Sequence, residues 1–513
     1  MAILYLLLGS LLLCFFIHIL SSITWRLRHP NHSRKLPPGP GGLSIIGNLP
    51  MLGSLPHHAL ANLAQKYGPI MSIRLGHVLT VVISSPSAAE LFLKTHDLVF
   101  ASRPKLQASK HMNYNFKGII LTEYGSYWRY VRKLCTVKLL CGMKVESFAP
   151  IRSEKVSSLV EWLRTVENEV VDLSEKINQV IEEITFKMIV GSNIFDGVDL
   201  KGLAREGVRL AGAFNVADYV PYLEPLDLQR LRWRMRKNSK AIDEIMNKVV
   251  RDRLQQYEER KGDDNKRTDF VDVLLSELNE VMNQPDLGEQ QPEYTIELTN
   301  MKAIACDMIA AAFDTTASTI EWTLSELLRN PRTISCLQQE LNDIVGIERM
   351  VEESDLPKLG YLDMVVKESF RLHPVVPFLI PREATEDIEI NGYFIPKKAR
   401  ILVNVWAIGR DPNVWSENWE EFYPERFIGS NVELGGLDFK LTPFGFGRRG
   451  CPGKTLGLRT VSFVVAQLVH CFNWKLPPGM QPGDLDMTEK FGLVVPRADH
   501  LLAVPTYRLM PKA

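Results

Sequence analysis

The chain has 513 residues, 45% of them hydrophobic, enough for several ordinary domains or one unusually large one with a sizeable core. Lysine plus arginine and aspartate plus glutamate each total 60, which excludes the basic field that draws in nucleic acid and leaves no nucleic-acid partner expected. The seven cysteines are odd in number and contain no C-x-x-C pair, which argues against a secreted disulfide framework and a zinc knuckle.

Ala2 to Trp25 carries no Asp, Glu, Lys or Arg. As a helix rising about 1.5 Å per residue it would reach roughly 36 Å, against about 30 Å of hydrocarbon. It has neither the basic start nor the small-residue cleavage site of a secretory signal, so residues 1–25 are predicted to be a transmembrane anchor. Arg26, Arg28, Arg34 and Lys35 follow, and the positive-inside rule puts them and the body in the cytosol. Leu36 to Gly42, "LPPGPGG", reads as a stiff hinge ending a linker over 26–42, with one domain over 43–513.

Short β-rich runs follow, "IMSIRLG" and "TVVISS", then helical periodicity dominates from about Ala88 to Leu372. The polar segment from Arg251 to Glu293 mixes charge signs and reads as a solvated helix and loop. Asn391-Gly392 is a hairpin signal. No regular alternation of strand and helix is present, so a mainly α fold with small β-sheets is predicted and a doubly wound parallel sheet is disfavoured.

"TPFGFGRRGCPGKT", Thr442 to Thr455, contains a G-x-G-x-x-G and ends in Gly-Lys-Thr. A dinucleotide cradle would need a preceding buried strand and an acid about 20 residues on, and no Asp or Glu occurs between Cys451 and Asp484. A phosphate loop would need glycine at 448, which is arginine. With Cys451 as the centre, Pro452 and the apolar spacing of Leu456, Val461, Val464, Val465, Leu468 and Phe472 predict a helix starting beside the sulfur. Cys451 near the N-cap would have its thiol pKa lowered. Glycines 445, 447, 450 and 453 would clear both flanks of the sulfur for a flat group. Arg448 and Arg449 add cations, and the set describes a haem held by a cysteine.

Phe444-x-x-Gly447-x-Arg449-x-Cys451-x-Gly453 resembles the haem-binding signature of the cytochrome P450 family, in the flavour of a microsomal plant enzyme of specialised metabolism. The resemblance implies haem b with Cys451 as axial thiolate and Phe444, Arg449 and Gly453 around it. It extends over nearly the whole chain, in family order. Glu368 and Arg371, three apart in "VVKESFRLHP" and able to pair on one helix face, match a core network completed by Arg426 of "FYPERF". Asp314 and Thr315, in "MIAAAFDTTAST", match an acid and alcohol pair that relays protons during oxygen activation. Thr315 could also simply bond back to the Ala311 carbonyl. Ala312 stands where the family usually has glycine. Trp128, Arg132 and Arg382, with Arg449, match groups around the haem propionates.

Segments around Met112, Val216, Ala311, Val376, Phe378 and Leu493 match those that line a substrate pocket, and their apolar character predicts a small lipophilic substrate, terpenoid or phenolic. The implied reaction inserts one atom of O2 into a C–H bond, with electrons from NADPH through a separate cytochrome P450 reductase docking near Lys133, Lys138 and Arg448. The implied location is the endoplasmic reticulum membrane, single-pass. Two alternatives are a haem-thiolate isomerase or dehydratase working without reductase, and a non-catalytic haem-binding protein.

Overall fold

The computed structural model describes Gly9 and residues 35–112, 114–191, 200–259, 269–282, 296–416 and 418–510. Apart from Gly9, the predicted anchor lies outside the described residues, as do 260–268 and 283–293 of the polar segment. The first part of that segment ends a long helix, Leu231–Glu259.

The strands are β1 (Ile70–Leu75), β2 (Val78–Ile83), β3 (Val171–Asp172), β4 (Arg382–Glu383), β5 (Ile388–Ile390), β6 (Tyr393–Ile395), β7 (Arg400–Val403), β8 (Phe472–Lys475) and β9 (Leu502–Tyr507). Among the described residues they form three small sheets, ordered β1-β2-β7-β4, β3-β9-β8 and β5-β6. β1 and β2 are antiparallel, and β7 joins β2 in parallel with Thr80 opposite Arg400. β7 is buried at all four residues, as a strand covered on both faces must be. Asn391 and Gly392 both have positive φ, 51° and 74°, and close the β5-β6 hairpin as the sequence predicts.

Where it is described, the proline stretch is bonded to the β1 edge. The Ser72 amide donates to the Pro38 carbonyl at 2.8 Å, and the Ser72 hydroxyl donates to the Pro37 carbonyl at 2.7 Å. A Cβ on Gly39 would lie 1.8 Å from the Ser72 oxygen, so this glycine serves a close approach to the β1 edge.

Six helices position the site: α1 (Pro56–Tyr67), α2 (Ser126–Leu134), α3 (Leu173–Ile189), α4 (Leu298–Arg329), α5 (Gly360–Leu372) and α6 (Lys454–Cys471). α4 starts on a capping box between Glu297 and Asn300 and runs unbroken for 32 residues. Among the described residues it is the one helix long and apolar enough to cross a membrane, but α3, α5 and α6 pack around it. It is a core helix. Its buried polar groups are partnered: Lys302 donates to Asp243 and Asn247, Ser174 donates to Glu321, and Glu326 meets His373 Nε2 at 2.7 Å.

Candidate active site

Cys451 lies in the loop before α6, its backbone amide donating to the Phe444 carbonyl at 2.8 Å. The helix begins at Lys454 with Gly453 as N-cap, so the sulfur sits two residues ahead of the cap rather than at it. The side chain is accessible, and the space it reaches is an interior cavity of about 870 Å³. That is toward the upper end of the range for ligand pockets, about 300–1,000 Å³. Burial within the surrounding protein pushes the Cys451 thiol up, against the Gly453 amide, Arg132 and Lys454. This corrects the expectation of a thiol made acidic by the helix start, because desolvation outweighs those contributions.

The glycines divide into two groups. Gly445 and Gly453 line the cavity, and a Cβ on Gly453 would lie 3.9 Å from the Cys451 sulfur. Gly447 does not clear the sulfur: its φ is 70°, and a Cβ there would meet the Leu93 carbonyl at 2.5 Å and Asp97 at 2.6 Å. A Cβ on Gly450 would meet the Gly447 carbonyl at 3.2 Å. These two glycines shape the loop itself.

Five arginines line the same cavity: Arg103, Arg132, Arg382, Arg400 and Arg449. Arg449 is held by main-chain carbonyls, donating to Ala101 and Thr122 at 2.6 Å each, and its guanidinium lies 4.0 Å from the Trp128 ring centroid. Arg103 donates to the carbonyls of Ile120, Ile380 and Pro381. Trp128 is buried in α2 and donates through its indole to Ile119 at 3.0 Å. Asp97 is paired with Arg382 and Arg448. Burial and then the neighbouring Arg382 and Arg132 pull Arg449 down to about 9, and burial followed by Arg449 and Arg382 lowers Arg103 well below its ordinary value. A buried cluster of like charges calls for an anion. The cavity therefore fits a flat group carrying two carboxylates, with a sulfur to hold its metal, which is the donor set haem requires.

On α4, Ala311, Ala312 and Thr315 line the cavity. The Thr315 hydroxyl donates to the Ala311 carbonyl at 2.7 Å, and Thr319 and Thr323 repeat the pattern one turn apart. Asp314 is not among the lining residues. Its carboxyl is raised by burial, with Arg205 opposing and Glu182 adding to the shift. The predicted acid thus stands on the flank of the helix near the Arg205–Glu182 ion pair, in which the glutamate is buried and the arginine exposed.

Glu368 and Arg371 are both fully buried and joined at 2.7 and 2.8 Å. Arg426 Nε donates to Glu368 Oε1 at 2.8 Å, and the Tyr423 amide donates to the same oxygen at 2.9 Å. The two guanidiniums also donate to the carbonyls of Gly409, Trp415, Asn418, Trp419 and Glu421. The three residues read from the sequence are one network, and it lies away from the cavity. One residue before Arg371, Phe370 packs on Phe444 at 5.1 Å between ring centroids, linking α5 to the cavity wall.

Met112, Val376, Phe378 and Leu493 line the cavity. Val216 does not, because it starts a short 3₁₀ turn whose neighbours Asn215, Asp218 and Tyr219 face the space instead. Asp97 and Arg103 escaped the sequence reading: the stretch from Lys94 to Lys105 carries charges of both signs and nothing local marks either residue.

The cytochrome P450 family model matches residues 37–503. Over 93% of this chain and 94% of the relative, identity to cytochrome P450 CYP736A12 of Panax ginseng is 53%. The flavonoid 3'-monooxygenase of Arabidopsis thaliana is 40% identical over 98% of this chain and 97% of its own length. The premnaspirodiene oxygenase of Hyoscyamus muticus is 41% identical over 93% of each. Among solved structures, a zebra fish cytochrome P450 with progesterone superposes with a TM-score of 0.72 at 26% identity, covering 88% of this chain and 99% of that one. The chain belongs to the cytochrome P450 family, and is an oxidoreductase of the monooxygenase class with haem as its cofactor and a cysteine thiolate as the haem ligand.

Proposed function

We propose that this chain hydroxylates a small lipophilic substrate, terpenoid or phenolic, while anchored to the endoplasmic reticulum membrane and supplied with NADPH electrons by a separate reductase. The observation that carries the reading is one cavity lined by a cysteine, five arginines and the Thr315 turn of a buried helix. Cys451 would hold the iron. A coordinating thiol is deprotonated by the metal itself, so its ionisation needs no help from the helix. Arg132, Arg382 and Arg449, joined by Arg103, would neutralise the propionates, with Trp128 supporting Arg449. Haem in this site supplies dioxygen activation and insertion of one oxygen atom into a C–H bond.

The protein's own contribution is to orient, to exclude water and to deliver protons. Thr315 Oγ1, its proton committed to Ala311, presents lone pairs that would accept a proton-bearing partner in the cavity. Asp314, beside Arg205 at the helix flank, would take protons up from the surface side. Ala312, a methyl where the family usually has none, narrows this passage. Glu368, Arg371 and Arg426 are scaffold.

The cavity's largely apolar lining supports a lipophilic substrate. The relatives' names point to a flavonoid in one case and to a diene in another. Lys133, Lys138 and Arg448 form the reductase-facing candidates. Lys138 is paired with Glu277 at 2.7 Å and Arg448 with Asp97, which leaves Lys133 as the exposed cation to test first. Membranes co-expressing the chain with a reductase should form product from terpenoid or phenolic candidates only when NADPH and O2 are present. Product formation without reductase would favour the isomerase or dehydratase reading.

A further inference from the structure

Two histidines and a glutamate meet at the rim of the cavity, and none of the roles above uses them. His57 and His58, in the first turn of α1, both set Nε2 against one oxygen of Glu489, Oε2, at 2.7 and 2.6 Å. His57 is fully buried, and its Nδ1 has no partner among the described residues. Its ring stacks on Phe491, 5.9 Å between centroids and 19° between planes, and meets Phe378 edge-on at 6.2 Å. Trp406 stacks on His58 at 4.0 Å and carries the Arg410 guanidinium on its ring at 4.1 Å.

The group has the composition of a metal site, but its surroundings oppose a cation. Arg410 acts on both His57 and Glu489, and the N-terminus of α1 adds positive potential. The shared oxygen already receives both imidazoles. The cluster is a hydrogen-bonded node.

What it holds is specific. Glu489 lies two residues before Phe491, on a hairpin closed by bonds from Lys490 to Pro496 and from Ala498 to Thr488. Phe491, Gly492, Leu493 and Val494 from this hairpin line the cavity, as do Pro56 and Leu60 of α1 and Phe378. Phe491 is 39% exposed, which places it where the cavity meets solvent. Phe378 and Phe491 also touch each other, 6.5 Å between centroids. The carboxylate therefore fastens α1 to a segment 432 residues away, with the His57 ring wedged against both aromatic walls.

We infer that His57 and Glu489 are positioning residues for substrate selection: by fixing Phe491 and Phe378 they set the shape of the cavity rim, and so act on long ligands without acting on the iron end. The inference rests on the haem reading of the cavity. The test uses the holoenzyme and two nitrogen ligands for iron followed by absorbance titration: imidazole, which needs only the iron end, and ketoconazole, which extends along the cavity.

In His57→Ala and Glu489→Ala, ketoconazole should bind about fivefold more weakly, the scale of one lost aromatic contact, with imidazole binding unchanged. Phe491→Ala, which removes the rim ring while leaving the Glu489 bonds to both histidines in place, should show the same selective loss, and His57→Phe should restore part of it by keeping the ring. Unchanged ketoconazole binding in the variants, or equal weakening of both ligands, would overturn the inference. If the alanine variants take up no haem, Phe491→Ala and His57→Phe decide it. A wild-type protein showing no spectral response to imidazole would instead overturn the haem reading, and this inference with it.

Discussion

Asp97 Oδ1 and Arg382 Nη1 form a buried pair at 2.9 Å, and the other oxygen of the same carboxylate accepts from both the amide and the guanidinium of Arg448 at 3.0 Å. One acid thus ties β4 to the loop three residues ahead of Cys451. Asp97→Ala would leave Arg382 without its counter-charge, a change that costs about 3–5 kcal/mol when a buried pair loses one partner. The purified variant should carry less haem per protein and melt at a lower temperature. A wild-type haem-to-protein ratio would show that this pair does not organise the loop.

The Glu368 network is expected to act on folding alone. Glu368→Ala strands two buried guanidiniums, Arg371 and Arg426, and should destabilise the fold by about 3–5 kcal/mol. Denaturation midpoints would register the loss. The network lies away from the cavity, so the fraction that remains folded should bind imidazole with wild-type affinity. Altered affinity in that fraction would place the network closer to the chemistry than its geometry does.

Thr315→Ala removes the hydroxyl that faces the cavity while leaving an unstrained helix. Product formation should fall by roughly 10²-fold, the lower end of what a positioned proton-transfer group contributes. NADPH consumption should persist and haem content should be unchanged. Product yield equal to wild type would mean that the Ala311 bond is the whole role of this side chain, and would leave room for the reductase-independent reading.

Asp218 supplies a pH dependence at the cavity wall. Burial raises its carboxyl to about 6, against the Gln107 amide and Arg400, compared with about 3.9 in an unfolded chain. Because the folded state favours the neutral form, its contribution to stability is present in full below about pH 3.9 and is lost as pH rises through about 6. Asp218→Asn keeps the acceptor for Gln107 and removes that loss. The variant should be more stable than wild type by about 3 kcal/mol at about pH 7.5, with the difference shrinking toward about pH 4. A constant difference across that range would contradict the titration.

Much of the fold was legible because its signals are local. The Asn391-Gly392 turn, the β1 and β2 runs and the apolar spacing of α6 each carry their own period or turn chemistry. Glu368 and Arg371 were legible as a pair because three residues of helix bring them together. Features made by chain segments far apart were not. Gly447 reads as space around the sulfur, yet the space belongs to Asp97, 350 residues earlier in the chain. His57, His58 and Glu489 each read as ordinary helix-start or loop residues until α1 and the Phe491 hairpin are folded together. The direction of the Cys451 thiol shift was misread for a related reason: the helix start is visible in the sequence, and the burial that outweighs it is not.

The most direct test of the central claim is the carbon monoxide difference spectrum of the reduced protein, taken for wild type and for Cys451→Ala. The wild type is expected to show the thiolate-type signal and the variant to lose it. A thiolate-type signal that survives in Cys451→Ala, or a histidine-type signal in the wild type, would contradict the assignment of the iron to this sulfur.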